Sequence, residues 1–260
     1  MRNSDSRYAL FWLCLAGVVR RGSCWLVLLG LFVFVWGAPL LTPWDEKPQI
    51  LQPARAQAAW IYVWMVLFTW IPFQAAALGR RLRAEGLLEF LRARGEGAFS
   101  VYLQMGAAVA VWLVALVLLA CGVNVMWCSP KDPMEAQLWL GLVAQYGALF
   151  LVVGIPLCLL GVALGTKAGE VVAFLAPVSL LFCGLIAASW LVPLLAGSDL
   201  TLFRSAWVLL PHYHLADLTP RLIFKMGPLG WAQFRDTLVC LTLQGVSLTL
   251  LGRCLLRTRS

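Results

Sequence analysis

The chain has 260 residues, of which 62% are hydrophobic and only 12% are charged, and its mean hydropathy is +0.84. Soluble domains carry about 25% charged residues, so the composition argues against a water-soluble helical bundle, which could not hide this much apolar surface. The net charge of +8 does not indicate nucleic-acid binding, since the basic residues flank apolar runs and form no stripe interleaved with aromatic residues. The composition predicts an all-α polytopic membrane protein with a single domain, residues 1–260.

The first apolar run, Tyr8 to Val19, is too short to cross a bilayer, which requires about 20 residues. Arg20 and Arg21 follow it directly. Residues 1–22 are therefore predicted to contain an interfacial helix that lies flat on the membrane and leads into the first span. A cleaved signal peptide is the alternative. It would require both arginines to be translocated, and no small-x-small cleavage site follows them.

Six apolar stretches, separated by charged or proline-rich breaks, predict six transmembrane helices. Prolines inside three of these stretches, Pro72, Pro156 and Pro177, predict kinks. The last apolar helix is expected to begin earlier than its most apolar part, near Trp231. A short helical segment broken by prolines is predicted before it. The spans are placed near residues 24–41, 58–79, 105–127, 138–165, 171–195 and 234–253.

The basic residues predict the orientation of these spans. Of the 20 lysines and arginines, 13 fall on the side that contains both termini and seven on the other. The positive-inside rule therefore predicts that both termini lie on the cytoplasmic side of a bacterial-type inner membrane. Tryptophans also collect near the opposite ends of the spans, as in an interfacial aromatic belt. They are Trp44, Trp60, Trp127, Trp139, Trp207 and Trp231.

No Asp, Glu, Lys, Arg or His lies in the middle of a predicted span, although proton-coupled carriers depend on such groups. The chain also lacks a selectivity-filter motif, HExxH, GxSxG and a phosphate-binding loop. These absences argue against a secondary carrier, a channel and an enzyme. Sodium carriers that use backbone carbonyls, and non-transport assembly factors, remain open alternatives. The chain is predicted to bind no cofactor itself, so active transport would draw its energy from a partner.

The loop after the second predicted span, Gly79 to Gly97, indicates a short amphipathic helix closed by glycines. Leucine and phenylalanine side chains form its apolar side, and Arg81 is spaced to pair with Glu85. Such a helix can rest on lipid or fill a groove in another protein. Composition leaves both possibilities open.

The amphipathic N-terminal stretch, the arginine pair, the six spans and the run Glu85-Gly86-Leu87-Leu88-Glu89-Phe90-Leu91 resemble the type-2 permease family of ATP-binding cassette (ABC) exporters. The tight turn at residues 165–170 and the basic tail at 253–259 are similar too. Gln104 departs from the family pattern, because many relatives carry a lysine there.

This resemblance implies a permease subunit that pairs with a second copy or a paralogue and with separate ABC ATPase subunits, which bind the ATP. It also implies that residues 83–94 form the coupling helix that docks on the ATPase. The contact residues it implies are Arg83, Glu85, Gly86, Leu87, Leu88, Glu89, Leu91 and Arg92.

The run from Pro211 to Leu218 is similar to an element that many relatives have before the last span. His212, His214 and Asp217 are of the types that bind zinc or copper. Three ligands without a fourth are more often polar groups at an interface, so no metal is predicted. The eight cysteines include no CxxC pair and lie mostly in apolar segments. They are predicted to form neither disulfides nor metal sites.

Overall fold

The computed structural model describes residues 8–41, 48–187 and 210–256, and within these ranges the chain is helical and contains no β-strand. A π-helical turn, Cys183–Ala187, follows the helix that ends at Phe182, and a 3₁₀ turn, Tyr213–Ala216, precedes the helix that begins at Thr219. All eight cysteines are free thiols in this structure. The helices are α1 (Ala9–Val19), α2 (Ser23–Leu41), α3 (Pro48–Phe68), α4 (Trp70–Ala84), α5 (Leu87–Ala93), α6 (Ala98–Met126), α7 (Pro133–Lys167), α8 (Glu170–Phe182), α9 (Thr219–Ile223) and α10 (Trp231–Leu255).

Within the described residues the fold is all-helical, with four or five long apolar stretches, and is compatible with a polytopic membrane protein. Four helical stretches in the described residues are long and apolar enough to cross a bilayer: Gln52–Ala84, Ala98–Met126, Pro133–Lys167 and Trp231–Leu255. The helices α1 and α2 meet at a bend of 60° and count as a fifth if they form one broken span. The fifth predicted span, 171–195, corresponds to a shorter apolar helix, Glu170–Ile186, and its remainder lies outside the described residues. Six spans therefore remain a prediction.

The second span is broken where the sequence predicts a kink. Pro72 has no N–H to donate to the carbonyl of Phe68, four residues earlier, and its ring crowds that carbonyl. The helix α3 accordingly ends at Phe68 and α4 begins at Trp70. Thr69 lies between them, and its hydroxyl donates to the carbonyl of Met65 at 2.7 Å.

The helix α7 is the centre of the bundle and packs against α4, α6, α8 and α10. Asp132 caps its first turn by accepting a hydrogen bond from the amide of Met134 at 2.9 Å, and Pro133 occupies the first helical position. At 1.5 Å per residue its 35 residues extend about 52 Å, more than the hydrocarbon thickness of about 30 Å. The helix α7 is therefore longer than a membrane crossing requires.

The apolar run from Tyr8 to Val19 contains the helix α1, Ala9–Val19. It packs against α6, where the amide of Phe11 donates to the side-chain oxygen of Gln104 at 3.2 Å. Gln104, the residue that departs from the family pattern, thus helps to hold α1 in place. That α1 lies flat on the membrane stays a prediction.

Candidate partner-docking site

The candidate docking segment is built differently from the single helix predicted over residues 83–94. Arg83 belongs to the last turn of α4, which ends at Ala84. Gly86 then adopts a left-handed conformation, with φ of 64°, which a residue with a side chain rarely adopts. The short helix α5 comprises only Leu87–Ala93. The prediction of one continuous helix is therefore wrong at its start, because the chain turns at Gly86.

The helix α5 ends as abruptly as it begins. Gly95 has φ of 78°, and its amide donates to the carbonyl of Arg92 at 2.9 Å. The next amide, that of Glu96, donates to the carbonyl of Leu91 at 3.1 Å. These bonds satisfy the last carbonyls of the helix, as in glycine-based C-terminal caps. Two glycines thus hold α5 as a separate two-turn element between α4 and α6.

Burial divides the predicted contact residues into two groups. Leu88 is only 3% exposed and joins the hydrophobic core, while Leu87 and Leu91 are half-buried against that core. Leu88 therefore attaches α5 to the bundle and presents no surface to a partner. Gly86 is half-buried, and the remaining polar members of the predicted set are exposed: Arg83, Glu85, Glu89 and Arg92.

Phe90 is the exposed apolar residue of α5, and sequence reasoning left it out of the contact set. Its side chain is 54% exposed, and the guanidinium of Arg94 lies over its ring at 5.4 Å from the centroid. An aromatic ring beside a cation, projecting from a short helix with Glu89 and Arg92, is the composition found at protein-binding hot spots. The signal in the sequence was the run of four apolar residues at 87, 88, 90 and 91, which is too many for one face of a helix with two turns.

Charged groups tie the end of α4 to the turn between α7 and α8. The guanidinium of Arg80 pairs with Glu170 at 3.0 Å, and Arg83 donates to the carbonyl of Lys167 at 3.3 Å. The predicted pair of Arg81 with Glu85 is confirmed at 2.6 Å. Because exposed ion pairs contribute little free energy, these contacts orient the two turns more than they stabilise them.

The helices α4 and α7 cross at the distance of direct backbone contact. A Cβ added to Gly79 would lie 2.3 Å from the carbonyl oxygen of Val162 and 3.0 Å from the Cα of Gly165. A Cβ on Gly165 would lie 2.5 Å from the carbonyl oxygen of Ala76. Small residues permit such close approach between membrane helices. The segment that carries α5 is thus in rigid contact with the central helix of the bundle.

A second polar cluster lies at the other end of the bundle, where Tyr146 joins distant parts of the chain. The Tyr146 hydroxyl accepts a hydrogen bond from the indole of Trp64 at 2.9 Å and donates to the carboxylate of Asp217 at 2.7 Å. The hydroxyl of Thr219 lies 2.7 Å away as well. Trp60 stacks on the Tyr146 ring at 3.8 Å between centroids. This cluster fixes the segment that contains the 3₁₀ turn and α9 to the bundle.

Sequence reasoning missed this cluster because Tyr146 is 71 to 82 residues away from its hydrogen-bonding partners along the chain. It also assigned Trp60 and Trp139 to the interfacial belt. Both are buried within the protein, at 0% and 5% exposure, and Trp231 is exposed. Trp44 and Trp207 lie outside the described residues.

The three candidate metal ligands have separate partners. Asp217 accepts from Tyr146 and from the amide of Thr219, whereas the backbone and ring of His212 both contact the side-chain amide of Gln244 at 3.1 Å. Burial lowers the pKa of His214 below its usual value. Within residues 8–41, 48–187 and 210–256, no three His, Cys, Asp or Glu residues are grouped so that they could hold a metal ion.

Comparison with known protein families, with curated proteins and with solved structures finds no match for this chain.

Proposed function

We propose that this chain is the membrane-spanning permease subunit of an ATP-driven exporter, whose ATP is bound and hydrolysed by a separate ABC ATPase subunit. In this proposal the chain has six spans in a bacterial-type inner membrane, with both termini in the cytoplasm. It pairs with a second copy of itself or with a paralogue. The observation that carries the proposal is α5, a separate two-turn helix that projects Phe90 from the turn between two spans.

The proposal is supported by the way α5 is held. Leu88 anchors α5 in the core, α5 follows α4 directly, and α4 crosses α7 at backbone contact between Gly79 and Gly165. A force applied to α5 by a partner would therefore reach the central helix without an intervening flexible linker. ATP-driven closure of two ATPase subunits could in this way bias the spans between two arrangements.

The polar composition of the interior also favours an external energy source. Among the described residues, no Asp, Glu, Lys, Arg or His side chain is fully buried, and the buried amide and aliphatic hydroxyl side chains are Gln74, Asn124 and Thr166. Carriers that couple transport to protons use ionisable groups at such depth. The interior of this bundle is therefore consistent with a subunit that is driven by its partner.

The Phe90→Asp variant is expected to release the ATPase, because an aromatic anchor at the centre of a docking surface contributes about 2–4 kcal/mol, equivalent to a roughly 30-fold or greater loss of affinity. Phe90 is exposed, so the change adds no buried charge. Leu88→Asp would be a poor test, since Leu88 is part of the core. The measurement is ATP hydrolysis by the complex that co-purifies with the tagged chain from its native membrane.

The matched control is Phe224→Asp, which makes the same exchange at a residue that is 72% exposed at the opposite end of the bundle. The control is expected to retain the co-purifying ATPase. Equal ATP hydrolysis in the eluates of wild type and Phe90→Asp would contradict the proposed docking site.

A further inference from the structure

A cleft lined by arginines lies between α1 and α4. It has a volume of about 260 Å³, close to the lower end of the range of about 300–1,000 Å³ seen for small-molecule sites. Its polar lining consists of Arg20, Arg21, Arg81, Glu85 and Gln74. We call this cavity the arginine cleft. It is distinct from the exposed surface of α5, since none of the residues from Leu87 to Ala93 lines it.

The electrostatics of the arginine cleft favour an anion. Three guanidinium groups face one carboxylate, that of Glu85, which already pairs with Arg81 at 2.6 Å. Among residues 8–41, 48–187 and 210–256, no carboxylate lies within ion-pair distance of Arg20 or Arg21. Arg21 instead donates to the buried side chain of Gln74 at 3.3 Å. A group that carries negative charge would complete this arrangement.

The walls of the cleft are apolar, which narrows the class of ligand. Leu13, Val18, Leu78 and Leu82 line it, and the last three are buried. An inorganic anion would contact only the guanidinium groups. An amphipathic anion would contact the guanidinium groups with its charged part and the apolar walls with its hydrocarbon part. The arginine pair follows α1, which is predicted to lie on the membrane surface, and Arg81 lies near the end of a helical stretch long enough to span a membrane. This prediction places both sides of the cleft at the polar boundary of the bilayer.

We infer that the arginine cleft binds an anionic phospholipid, with its phosphate between Arg20, Arg21 and Arg81 and an acyl chain along Leu13, Leu78 and Leu82. Basic pockets between membrane helices are suited to such headgroups. The lipid would join α1 to α4 and thereby hold the N-terminal helix against the bundle. This inference depends on the lining of the cleft and on its predicted place at the membrane surface, so it stands whether or not the chain is an exporter.

The first test removes charge. The full-length protein in a neutral detergent is titrated with phosphatidylglycerol, and bound lipid is counted by native mass spectrometry. Because each basic residue near a lipid surface contributes about 1 kcal/mol, Arg20→Gln/Arg21→Gln is expected to bind this lipid roughly 10- to 30-fold more weakly. The matched control is Arg92→Gln/Arg94→Gln, which removes two arginines from α5 and its end. An equal loss in both variants would overturn the inference, since it would indicate general surface attraction.

The second test fills the cleft and leaves every charge in place. A Cβ on Gly17 would contact only the Arg81 guanidinium, at 3.4 Å, so Gly17→Leu directs a side chain into the cavity without a backbone clash. Leucine also has the higher helix propensity, so α1 is expected to fold. We expect Gly17→Leu to bind phosphatidylglycerol at least tenfold more weakly than the control variant Gly122→Leu. In the control the added Cβ meets nothing within 4 Å. Unchanged binding in Gly17→Leu would overturn the inference.

Competition identifies the source of the phosphate. Phosphatidylcholine, glycerol phosphate and inorganic phosphate are each added to the complex with phosphatidylglycerol. The inference predicts that none of them displaces the lipid at equal concentration, because the first has no net charge and the others have no acyl chain. Displacement by inorganic phosphate at that concentration would show a site for a soluble anion and would overturn the lipid assignment.

Discussion

Replacing Gly79 with leucine is expected to lower the apparent unfolding temperature by roughly 6–12 °C, because overpacking costs up to about 3 kcal/mol and each kcal/mol shifts a chain of this size by about 2–4 °C. The atoms that block the new side chain belong to the backbone of α7, at Val162 and Gly165. They cannot move aside as a flexible side chain would. The two helices would therefore have to separate.

The measurement is thermal unfolding of the purified protein in detergent. The fraction of protein that stays monodisperse is recorded at each temperature. Gly122→Leu is the control, since it makes the same exchange near the end of α6, where an added Cβ meets nothing within 4 Å. The control is expected to unfold at the wild-type temperature or slightly above it, given the higher helix propensity of leucine. If Gly79→Leu and Gly122→Leu unfold at the same temperature, the close crossing of α4 and α7 is not a feature of the folded protein.

Removal of the Tyr146 hydroxyl is expected to cost roughly 2–4 kcal/mol, because it leaves the buried indole of Trp64 unsatisfied and removes one donor from the charged, half-buried carboxylate of Asp217. In Tyr146→Phe the indole of Trp64 loses its acceptor and the carboxylate of Asp217 loses a donor. The segment that contains the 3₁₀ turn and α9 would then be held less firmly. The rate at which trypsin cleaves the segment at Arg221 or Lys225 measures how firmly the segment is held to the bundle.

Tyr62→Phe supplies the matched control for this exchange. Its hydroxyl donates a single bond of 2.7 Å to the backbone carbonyl of Val27, so the expected cost is only about 1 kcal/mol. Tyr146→Phe should unfold at a lower temperature than Tyr62→Phe and should be cut faster by trypsin at Arg221 and Lys225. Equal behaviour of the two variants would show that Tyr146 does not organise the cluster.

The features that the sequence predicts well are those set by local chemistry. The break of the second span follows from the missing N–H of Pro72, and the separation of α1 from α2 coincides with the Arg20-Arg21 pair. The start of α10 at Trp231 is also as predicted from the apolar pattern. Each of these depends on residues within a few positions of one another, so periodicity and proline content are sufficient to locate them.

The details of the docking segment depend on tertiary packing and could not be predicted in the same way. A glycine within a helical pattern is compatible with a continuous helix, so the left-handed turn at Gly86 was not visible. The assignment of Leu88 to the core and Phe90 to the surface depends on where the bundle lies relative to α5. The joint role of Trp64, Tyr146 and Asp217 likewise requires the folded chain.

The central proposal is that a nucleotide-hydrolysing partner binds α5. It is tested most directly by photo-crosslinking in the native membrane. A photoreactive benzoyl-phenylalanine is placed at position 90, and, as a control, at position 224 on the opposite end. Both positions hold an exposed phenylalanine, so the photoreactive side chain can be accommodated at either position. The account predicts that position 90 crosslinks to an ATP-binding subunit and that position 224 does not. Crosslinks from position 90 to lipid alone, with no ATP-binding protein among the products, would contradict it.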